Sequence, residues 1–284
     1  MALDWTQGLN PMGQSVSGNR LVQKSQSPGS PLRWPGRTPN IVALHGFTGT
    51  ALDFSPLGNY LPYALEAPNL PGHGAATWPQ NGFETYDNIV DEYAQALKQP
   101  TVLLGYSLGG RLALSIALRV PAKVMGLILI GASPGLNNPV ERAHRAEQDR
   151  RLAHRIRHIG TLEFLAEWQQ HPLIATQQNI APNIRVAMDE GRQSHTANGL
   201  ALSLEKMGTG AMPPLWNTLS TLECPTLALY GESDIKYRDI AQSMAQRNEL
   251  IEVQGVPTAG HCAHLENPEF TMQAIAEFTT RHWA

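Results

Sequence analysis

The sequence predicts an α/β fold in which a mainly parallel sheet of about six or more strands is flanked by helices. Three observations lead to this prediction. Short apolar runs alternate with helical patterns, a Gly-x-Ser-x-Gly turn joins one run to a helix, and one long stretch carries helical patterns alone. With 284 residues, of which 42% are hydrophobic, the chain can form one large domain with an insertion.

The apolar runs have the length and composition of buried strands. They are Ile41–Leu44, Tyr63–Ala67, Thr101–Leu104, Val124–Ile130, Pro225–Tyr230 and Leu250–Val253. Helical patterns lie between most of them, at Tyr86–Lys98, Arg111–Arg119, Ile240–Arg247 and Glu269–Arg281. Strands that alternate with helices favour parallel pairing, with helices on both faces of the sheet.

The domain organisation follows from the composition of the remaining segments. Residues 1–40 are rich in Gly, Pro, Ser and Gln, so we expect an irregular arm with a short strand around Leu21–Lys24. We assign 41–133 and 217–284 to the α/β core. Residues 134–216 show helical patterns only, at Arg142–Ile159, Thr161–Gln169 and Ile184–Lys206. We expect them to form a helical cap over the carboxyl ends of the strands, where ligands bind in open α/β sheets.

Composition excludes several classes of function. The net charge of −3 argues against a general nucleic-acid surface, and no apolar run is long enough to span a membrane. The N-terminus lacks the pattern of a signal peptide. Cys224 and Cys262 show neither metal-ligand spacing nor a disulfide framework. We therefore expect a cytoplasmic protein with free thiols and without a metal or a nucleic-acid partner. We take a monomer as the expected state.

A serine between two glycines is the predicted nucleophile. Gly105-Tyr106-Ser107-Leu108-Gly109 follows an apolar run and precedes a helical pattern. This strand–turn–helix context pushes the hydroxyl of Ser107 out above the sheet. Glycines on both sides leave room for a strained backbone and close packing.

A serine hydroxyl needs a base, and the base needs a carboxylate to orient it. Asp234 follows the fifth apolar run in Gly231-Glu232-Ser233-Asp234, and His261 follows the sixth in Ala259-Gly260-His261-Cys262. The order serine, acid, histidine resembles the α/β-hydrolase fold. By that resemblance Ser107, Asp234 and His261 form the triad, whereas His264 is interpreted as a structural histidine.

The same resemblance predicts an oxyanion hole. His45-Gly46-Phe47-Thr48-Gly49 follows the first apolar run. In the family, the backbone N–H groups that match Phe47 and Leu108 bind the developing negative charge. The alternative interpretation of His45 and Gly46 is a loop held by structural hydrogen bonds, which is compatible with the same backbone donors.

The positions of the arginines give information about the charge of the substrate. Arg111 lies one helical turn after Ser107, on a helix that is normally buried, where a charge needs a partner such as a bound anion or a salt bridge. The chain also resembles the 2-succinyl-6-hydroxy-2,4-cyclohexadiene-1-carboxylate synthase family over roughly residues 40–280. The matching motifs are Gly105–Arg111, Ala132-Ser133-Pro134-Gly135-Leu136, Glu141-Arg142-x2-Arg145-x3-Asp149, Trp168-Gln169-Gln170-x-Pro172 and Lys206-Met207-Gly208-Thr209-Gly210.

This family resemblance implies both a substrate site and a reaction. The positions that match the family's substrate-binding residues are Tyr106, Arg111, Arg145, Trp168 and Arg192. Guanidinium groups suit a substrate with several carboxylates. Read alone, Arg145 and Arg192 could instead form a solvated helix face, and Trp168 could belong to the core of the cap.

The implied enzyme is a lyase without cofactor that eliminates pyruvate after Ser107 and His261 abstract a proton. Two alternatives remain open at this point. One is a serine carboxylesterase or carbon–carbon-bond hydrolase with the same triad, and the other is a non-catalytic ligand-binding protein on the same fold.

Overall fold

The computed structural model describes residues 30–283. Its sheet has seven strands: β1 (Leu32–Trp34), β2 (Arg37–Leu44), β3 (Tyr63–Ala67), β4 (Thr101–Tyr106), β5 (Val124–Ile130), β6 (Thr226–Gly231) and β7 (Ile251–Val256). The helices are α1 (Ser55–Tyr60), α2 (Tyr86–Ala96), α3 (Leu108–Arg119), α4 (Pro139–Ile159), α5 (Thr161–Trp168), α6 (Pro182–Gln193), α7 (Ala197–Met207), α8 (Ile235–Ala245), α9 (Ala263–Glu266) and α10 (Pro268–Trp283). Short 3₁₀ turns occur at Ala51–Phe54, Pro121–Lys123, Ala175–Asn179 and Leu219–Thr221.

The strand order is β1-β3-β2-β4-β5-β6-β7, and every pair is parallel except β1 with β3. Parallel strands all end at the same edge, so the loops after β2, β4, β6 and β7 gather on one side of the molecule. This edge carries the predicted catalytic residues. The fold class predicted from the alternation of runs and helices is confirmed.

The expectation of an irregular arm up to residue 40 is wrong for its last part. Leu32–Trp34 forms β1, and β2 begins at Arg37 rather than at Ile41. The short β1 is fixed from outside its own sequence, because Arg33 pairs with Glu66 at 3.0 Å and Trp34 is buried over Gly58. The strand predicted around Leu21–Lys24 lies outside the described residues.

Several helix boundaries also differ from the sequence patterns. The single pattern Ile184–Lys206 is two helices, because Thr196 interrupts it and caps α7 by accepting a hydrogen bond from the N–H of Gly199 at 3.1 Å. Helix α3 begins directly after Ser107, three residues earlier than its apolar pattern, and α8 begins directly after Asp234. The short helices α1 and α9 were not predicted.

Packing on both faces of the sheet holds the site rigid. All six residues of β4 are buried, as are ten of the twelve residues of α3. Side chains from the two faces form two separate apolar clusters. Burial of this extent stabilises the core by the hydrophobic effect, at roughly 25 cal/mol per Å² of apolar surface.

All of residues 134–216 are described, and between β5 and β6 they contain helices and turns but no strand. Helices α4, α5 and α7 share a small apolar cluster of their own, which includes Ile156, Phe164 and Leu204. Phe47, from the loop after β2, packs against this cluster. We call residues 134–216 the helical segment; its role as a cap stays a prediction. Over the described part of the chain, no helix is long and apolar enough to cross a membrane.

Candidate active site

Ser107 sits on a strained turn between β4 and α3. Its φ of 50° lies in the left-handed region, which a residue with a side chain seldom adopts. The turn is held by the N–H of Ser107, which donates to the carbonyl of Ile130 at 2.9 Å. Gly109 is required beside it, because a Cβ there would overlap the carbonyl of Leu44. The backbone is thus over-determined in the geometry that exposes a nucleophile.

The three residues predicted to form a triad are linked by two hydrogen bonds, with His261 between Ser107 and Asp234. The Ser107 Oγ lies 3.0 Å from Nε2 of His261, and Nδ1 of His261 lies 2.7 Å from Oδ2 of Asp234. Asp234 also caps α8, since its Oδ1 accepts from the N–H of Tyr237 at 3.3 Å. With Asp234 accepting from Nδ1–H, the other ring nitrogen is free to accept the serine proton.

His264 is placed differently from His261. It is fully buried, its ring stacks on Phe54 with centroids 5.5 Å apart, and it lies 4.7 Å from the ring of Tyr106. Burial lowers the pKa of His264 to about 3, so the ring is neutral. These contacts favour the structural interpretation of this histidine.

The loop His45–Thr50, here called the oxyanion loop, is shaped by a tight turn. The N–H of Gly49 and Nδ1–H of His45 both donate to the carbonyl of Gly46, at 3.0 and 2.8 Å. Nε2 of His45 accepts from the N–H of Leu70 at 2.9 Å, and burial lowers the pKa of His45 to about 3. His45 therefore makes the structural bonds expected of the alternative interpretation and leaves the N–H of Phe47 outside them.

The second predicted donor, Leu108, is the first residue of α3. Backbone N–H groups in the first turn of a helix lack an intrahelical acceptor and carry the positive end of the helix dipole. A group bound near Ser107 can therefore receive hydrogen bonds at this helix start.

Arg111 is buried beside the triad with little to neutralise it. It is 7% exposed, and a guanidinium nitrogen donates to the carbonyl of Met207 at 3.1 Å. Among the described residues, its Nε has no hydrogen-bond partner and no carboxylate forms a salt bridge with it. Burial lowers the pKa of Arg111, while nearby Tyr237 counteracts this shift. Because the ring of Tyr237 lies 4.4 Å from that of His261, Arg111 belongs to the neighbourhood of the triad.

Arg145 lies near Arg111 but has a protein partner. Its Nε donates to Asp149 at 2.8 Å, and its side chain is 40% exposed whereas that of Asp149 is 6% exposed. The charge of Arg145 contributes to the lowered pKa of Arg111 and of His171, although burial is the larger cause for both. The two arginines therefore act on the same region.

Arg192 belongs to a second, buried group. Its guanidinium donates to Oε1 of Gln177 at 2.6 Å, while its Nε has no hydrogen-bond partner in the described part of the chain. Burial raises the pKa of Asp53 to about 7, although the charge of Arg192 acts to lower it. Arg192 also borders a cavity of about 190 Å³ in the helical segment, together with Arg185 and Gln170. The structure thus brings Arg111 and Arg145 together and groups Arg192 with Asp53.

The two aromatic residues predicted to bind substrate have distinct positions. Tyr106 is buried with its ring 5.4 Å from His261, and its pKa is raised well above the ordinary value by burial and by contact with Cys262. Trp168 lies next to the oxyanion loop, with its ring 5.5 Å from that of Phe47 and stacked on that of Phe164 at 5.7 Å. Trp168 therefore covers the oxyanion loop, whereas the hydroxyl of Tyr106 is turned toward Cys262.

Two residues near the site were not predicted from the sequence. Tyr237 packs on His261, and the spacing Asp234-x-x-Tyr237 would indicate it once α8 is known to begin at the aspartate. Asp53 is a buried carboxylate with an unpartnered Oδ1 among the described residues. Its only sequence signal is the capping box with Thr50, which predicts a helix start and not a functional group.

Comparison with known proteins agrees with this geometry. The fold, the serine turn and the hydrogen-bonded triad define an α/β hydrolase, and the model of the Alpha/beta hydrolase family matches residues 41–274. A Bacillus subtilis (strain 168) protein provisionally named 2-succinyl-6-hydroxy-2,4-cyclohexadiene-1-carboxylate synthase is 37% identical, over 87% of this chain and 92% of its own length.

Two further proteins extend the match. The 2-succinyl-6-hydroxy-2,4-cyclohexadiene-1-carboxylate synthase of Salmonella newport (strain SL254) is 33% identical, over 90% of this chain and 98% of its own. The solved structure of MenH from S. aureus superimposes with a TM-score of 0.82 at 27% identity, over 89% of this chain and 98% of that one. The chain therefore belongs to the α/β-hydrolase family and, within it, to the 2-succinyl-6-hydroxy-2,4-cyclohexadiene-1-carboxylate synthase family.

Proposed function

We propose that this protein is a 2-succinyl-6-hydroxy-2,4-cyclohexadiene-1-carboxylate synthase of menaquinone or phylloquinone biosynthesis. It eliminates pyruvate from 2-succinyl-5-enolpyruvyl-6-hydroxy-3-cyclohexene-1-carboxylate. This reaction is that of a carbon–oxygen lyase. The membership of the chain in the synthase family supports the assignment.

Arg111 is the observation that carries the proposal. A buried guanidinium beside the triad, with one carbonyl acceptor and an unpartnered Nε within the described residues, is costly unless a ligand supplies negative charge. The proposed substrate carries three carboxylates, on the ring, the succinyl group and the enolpyruvyl group. An uncharged ester would leave this arginine without compensation.

Two further arginines are assigned to the carboxylates of the substrate. Arg145 acts on the same region from α4, where a substrate carboxylate would share its guanidinium with Asp149. Planar guanidinium groups bind carboxylates through paired hydrogen bonds, which fixes the orientation of the ring. We assign Arg192 to the same substrate, although its place beside Asp53 supports this role less directly. We assign Trp168 and Tyr106 to the walls of the site.

The positions of the double bonds define the electron flow. The substrate has its ring double bond at carbon 3, and the product is a 2,4-diene. Removal of the proton from carbon 2, which bears the succinyl group, leaves electrons that the succinyl ketone oxygen accepts. Their return forms the 2,3 double bond, shifts the ring double bond to carbons 4 and 5, and expels enolpyruvate from carbon 5. Enolpyruvate takes up a proton and tautomerises to pyruvate.

The triad performs the proton transfer in this scheme. Ser107 Oγ takes the proton from carbon 2 as its own proton passes to Nε2 of His261, and Asp234 stabilises the resulting imidazolium. The N–H groups of Phe47 and Leu108 donate to the ketone oxygen while it is negatively charged. No acyl-enzyme forms, and we propose that no cofactor is required. The proposal includes a cytoplasmic location and a monomeric state.

The test is pyruvate release from the enolpyruvyl substrate generated in situ by its own synthase. Wild-type protein should release one pyruvate for each diene formed, as followed by lactate dehydrogenase and by diene absorbance. A matched sample with simple carboxylic esters tests the rival function. Ester cleavage without pyruvate release would replace the lyase assignment by a carboxylesterase.

A further inference from the structure

A buried histidine at the corner between α6 and α7 joins three parts of the molecule. His195 is 6% exposed and lies between the last residue of α6 and the residue that caps α7. Its Nδ1 accepts from the N–H of Gly74 at 2.8 Å, and its Nε2 lies 2.9 Å from the carbonyl oxygen of Thr48. One ring thus contacts the helical segment, the loop after β3 and the oxyanion loop.

The backbone partners determine the tautomer of this ring. A backbone N–H can only donate, so Nδ1 of His195 must be unprotonated; a carbonyl can only accept, so Nε2 must carry the hydrogen. The ring is neutral, because burial lowers the pKa of His195 to about 4, and the nearby Arg192 charge acts in the same direction. The other titratable groups that face it are the neutral rings of His73, 5.5 Å away, and of His45 beyond it.

The acceptor of this hydrogen bond lies at a critical point of the oxyanion loop. Thr48 has a φ of 63°, a left-handed conformation that is unfavourable for a β-branched residue. It directly follows Phe47, whose N–H is the proposed donor to the substrate oxygen. A strained residue persists only when its surroundings fix it, and the bond from Nε2–H of His195 supplies part of that constraint.

Glycines let the corner approach both loops closely. A Cβ at Gly199 would overlap the carbonyl of Gly72, and a Cβ at Gly191 would overlap the hydroxyl of Thr50. Backbone therefore meets backbone on one side of His195, and α6 meets the oxyanion loop on the other. Any displacement of this corner moves the hydrogen-bond partner of Thr48.

We propose that His195 is a positioning residue, which ties the oxyanion loop to the α6–α7 corner and thereby sets the position of the Phe47 N–H for the reaction. The reaction named in this inference rests on the proposed function, whereas the choice of His195 rests on the hydrogen bonds and packing described above. The position of the helical segment is thereby coupled to transition-state stabilisation. The coupling acts on kcat, because the affected donor strengthens its bond as negative charge develops.

Two amide variants separate the two bonds of the ring. The nitrogen of a glutamine amide reaches the place of Nε2, so His195→Gln retains a donor to Thr48. An asparagine amide reaches only the place of Nδ1, so His195→Asn retains an acceptor for Gly74 and loses the bond to the oxyanion loop. His195→Ala loses both bonds. Ile156→Val, in the buried cluster of α4 and α7, is the matched control for a general loss of stability.

The first readout is steady-state pyruvate release. His195→Asn and His195→Ala should lower kcat by about 10- to 100-fold with KM changed little, which is less than complete loss of an oxyanion donor. His195→Gln should retain most of kcat, and Ile156→Val should retain all of it. Equal kcat in the Asn and Gln variants, or a change confined to KM, would overturn the proposal.

The second readout does not depend on the lyase substrate. A fluorophosphonate phosphonylates Ser107 with loss of fluoride, and its P=O oxygen occupies the oxyanion hole. The order of labelling rates should be the same as the order of kcat. If wild type is labelled but releases no pyruvate, the proposed function fails and the labelling rates still decide the role of His195. If wild type is neither labelled nor active, both proposals are wrong.

A third measurement needs no variant, in case substitution prevents folding. Nitrogen-15 NMR of histidine-labelled wild type should show His195 as the neutral Nε2–H tautomer at pH 7. A charged ring or the Nδ1–H tautomer would contradict the two hydrogen bonds on which the proposal depends.

Discussion

Replacement of Arg111 by methionine should weaken substrate binding without weakening the fold. The side chain is buried and its guanidinium has one carbonyl acceptor among the described residues. A hydrogen bond to a charged group contributes about 1.5–3 kcal/mol. At about 1.4 kcal/mol for each factor of ten, KM should rise about 10- to 150-fold.

The effect of this substitution on stability should have the opposite sign. Methionine fills a similar volume and removes a charge that is poorly compensated in the free enzyme. Replacement of buried ionic groups by apolar ones is often neutral or stabilising. The free energy of unfolding of Arg111→Met should therefore be unchanged or higher by up to about 2 kcal/mol. Arg111→Lys should rescue binding only in part, because it lacks the planar pair of donors.

Arg119 provides a control for this prediction, and Arg145 provides a comparison. Arg119 lies on the same helix but is exposed and pairs with Asp87 and Asp91, so Arg119→Met should leave KM unchanged. Arg145→Met should raise KM and also destabilise the fold, since it leaves the buried Asp149 without its cation. Pyruvate release gives KM, and urea unfolding gives stability. An unchanged KM for Arg111→Met, or a clear loss of its stability, would refute this reasoning.

Three further predictions concern the triad, the buried histidines and the helical segment. Ser107→Ala and His261→Ala should each lower kcat about 10³-fold or more, and the double variant should be no slower than either, as the groups act together; additive losses in pyruvate release would argue against a triad. The free energy of unfolding should fall as the pH drops below about 6.5, because four buried histidines are neutral in the folded protein and charged in the unfolded chain. Asp53 offsets part of this loss, because it takes up a proton on folding. The free energy of unfolding should change by about 4 kcal/mol per pH unit near pH 5. A urea midpoint that stays constant between pH 7 and pH 5 would contradict the neutral states of these rings. The histidines are His45, His73, His195 and His264. Hydrogen exchange across residues 134–216 should slow when a tricarboxylate ligand is added, because the site must open for a polyanion and then exclude water; equal protection with and without ligand would indicate a static wall.

The elements that the sequence predicted well are those whose own residues specify them. Strands β3 and β5 match their predicted bounds. Strand β5 is a dense apolar run, and in β3 fully buried residues alternate with partly buried ones. Strand β1 was missed because its three residues are fixed by pairing with β3, which no local pattern reveals. The break between α6 and α7 depends on one capping threonine inside an otherwise continuous helical pattern.

The same distinction holds for the site. Ser107, Asp234 and His261 were predictable because each follows a strand in a short motif, and parallel strands bring those ends together. The separation of Arg192 from Arg111 was not predictable, because it depends on how α6 packs against the 3₁₀ turn at Ala51–Phe54. His195 was not predictable either, since its role comes from two loops more than a hundred residues away.

The most direct test of the account is the fate of one hydrogen. A substrate carrying deuterium on the ring carbon that bears the succinyl group should release pyruvate more slowly than the protonated substrate. The diene product should have lost the deuterium to solvent, and no acylated Ser107 should be found by intact-mass measurement during turnover. Equal rates of pyruvate release from the two substrates, or an acyl group on Ser107, would contradict proton abstraction by the triad.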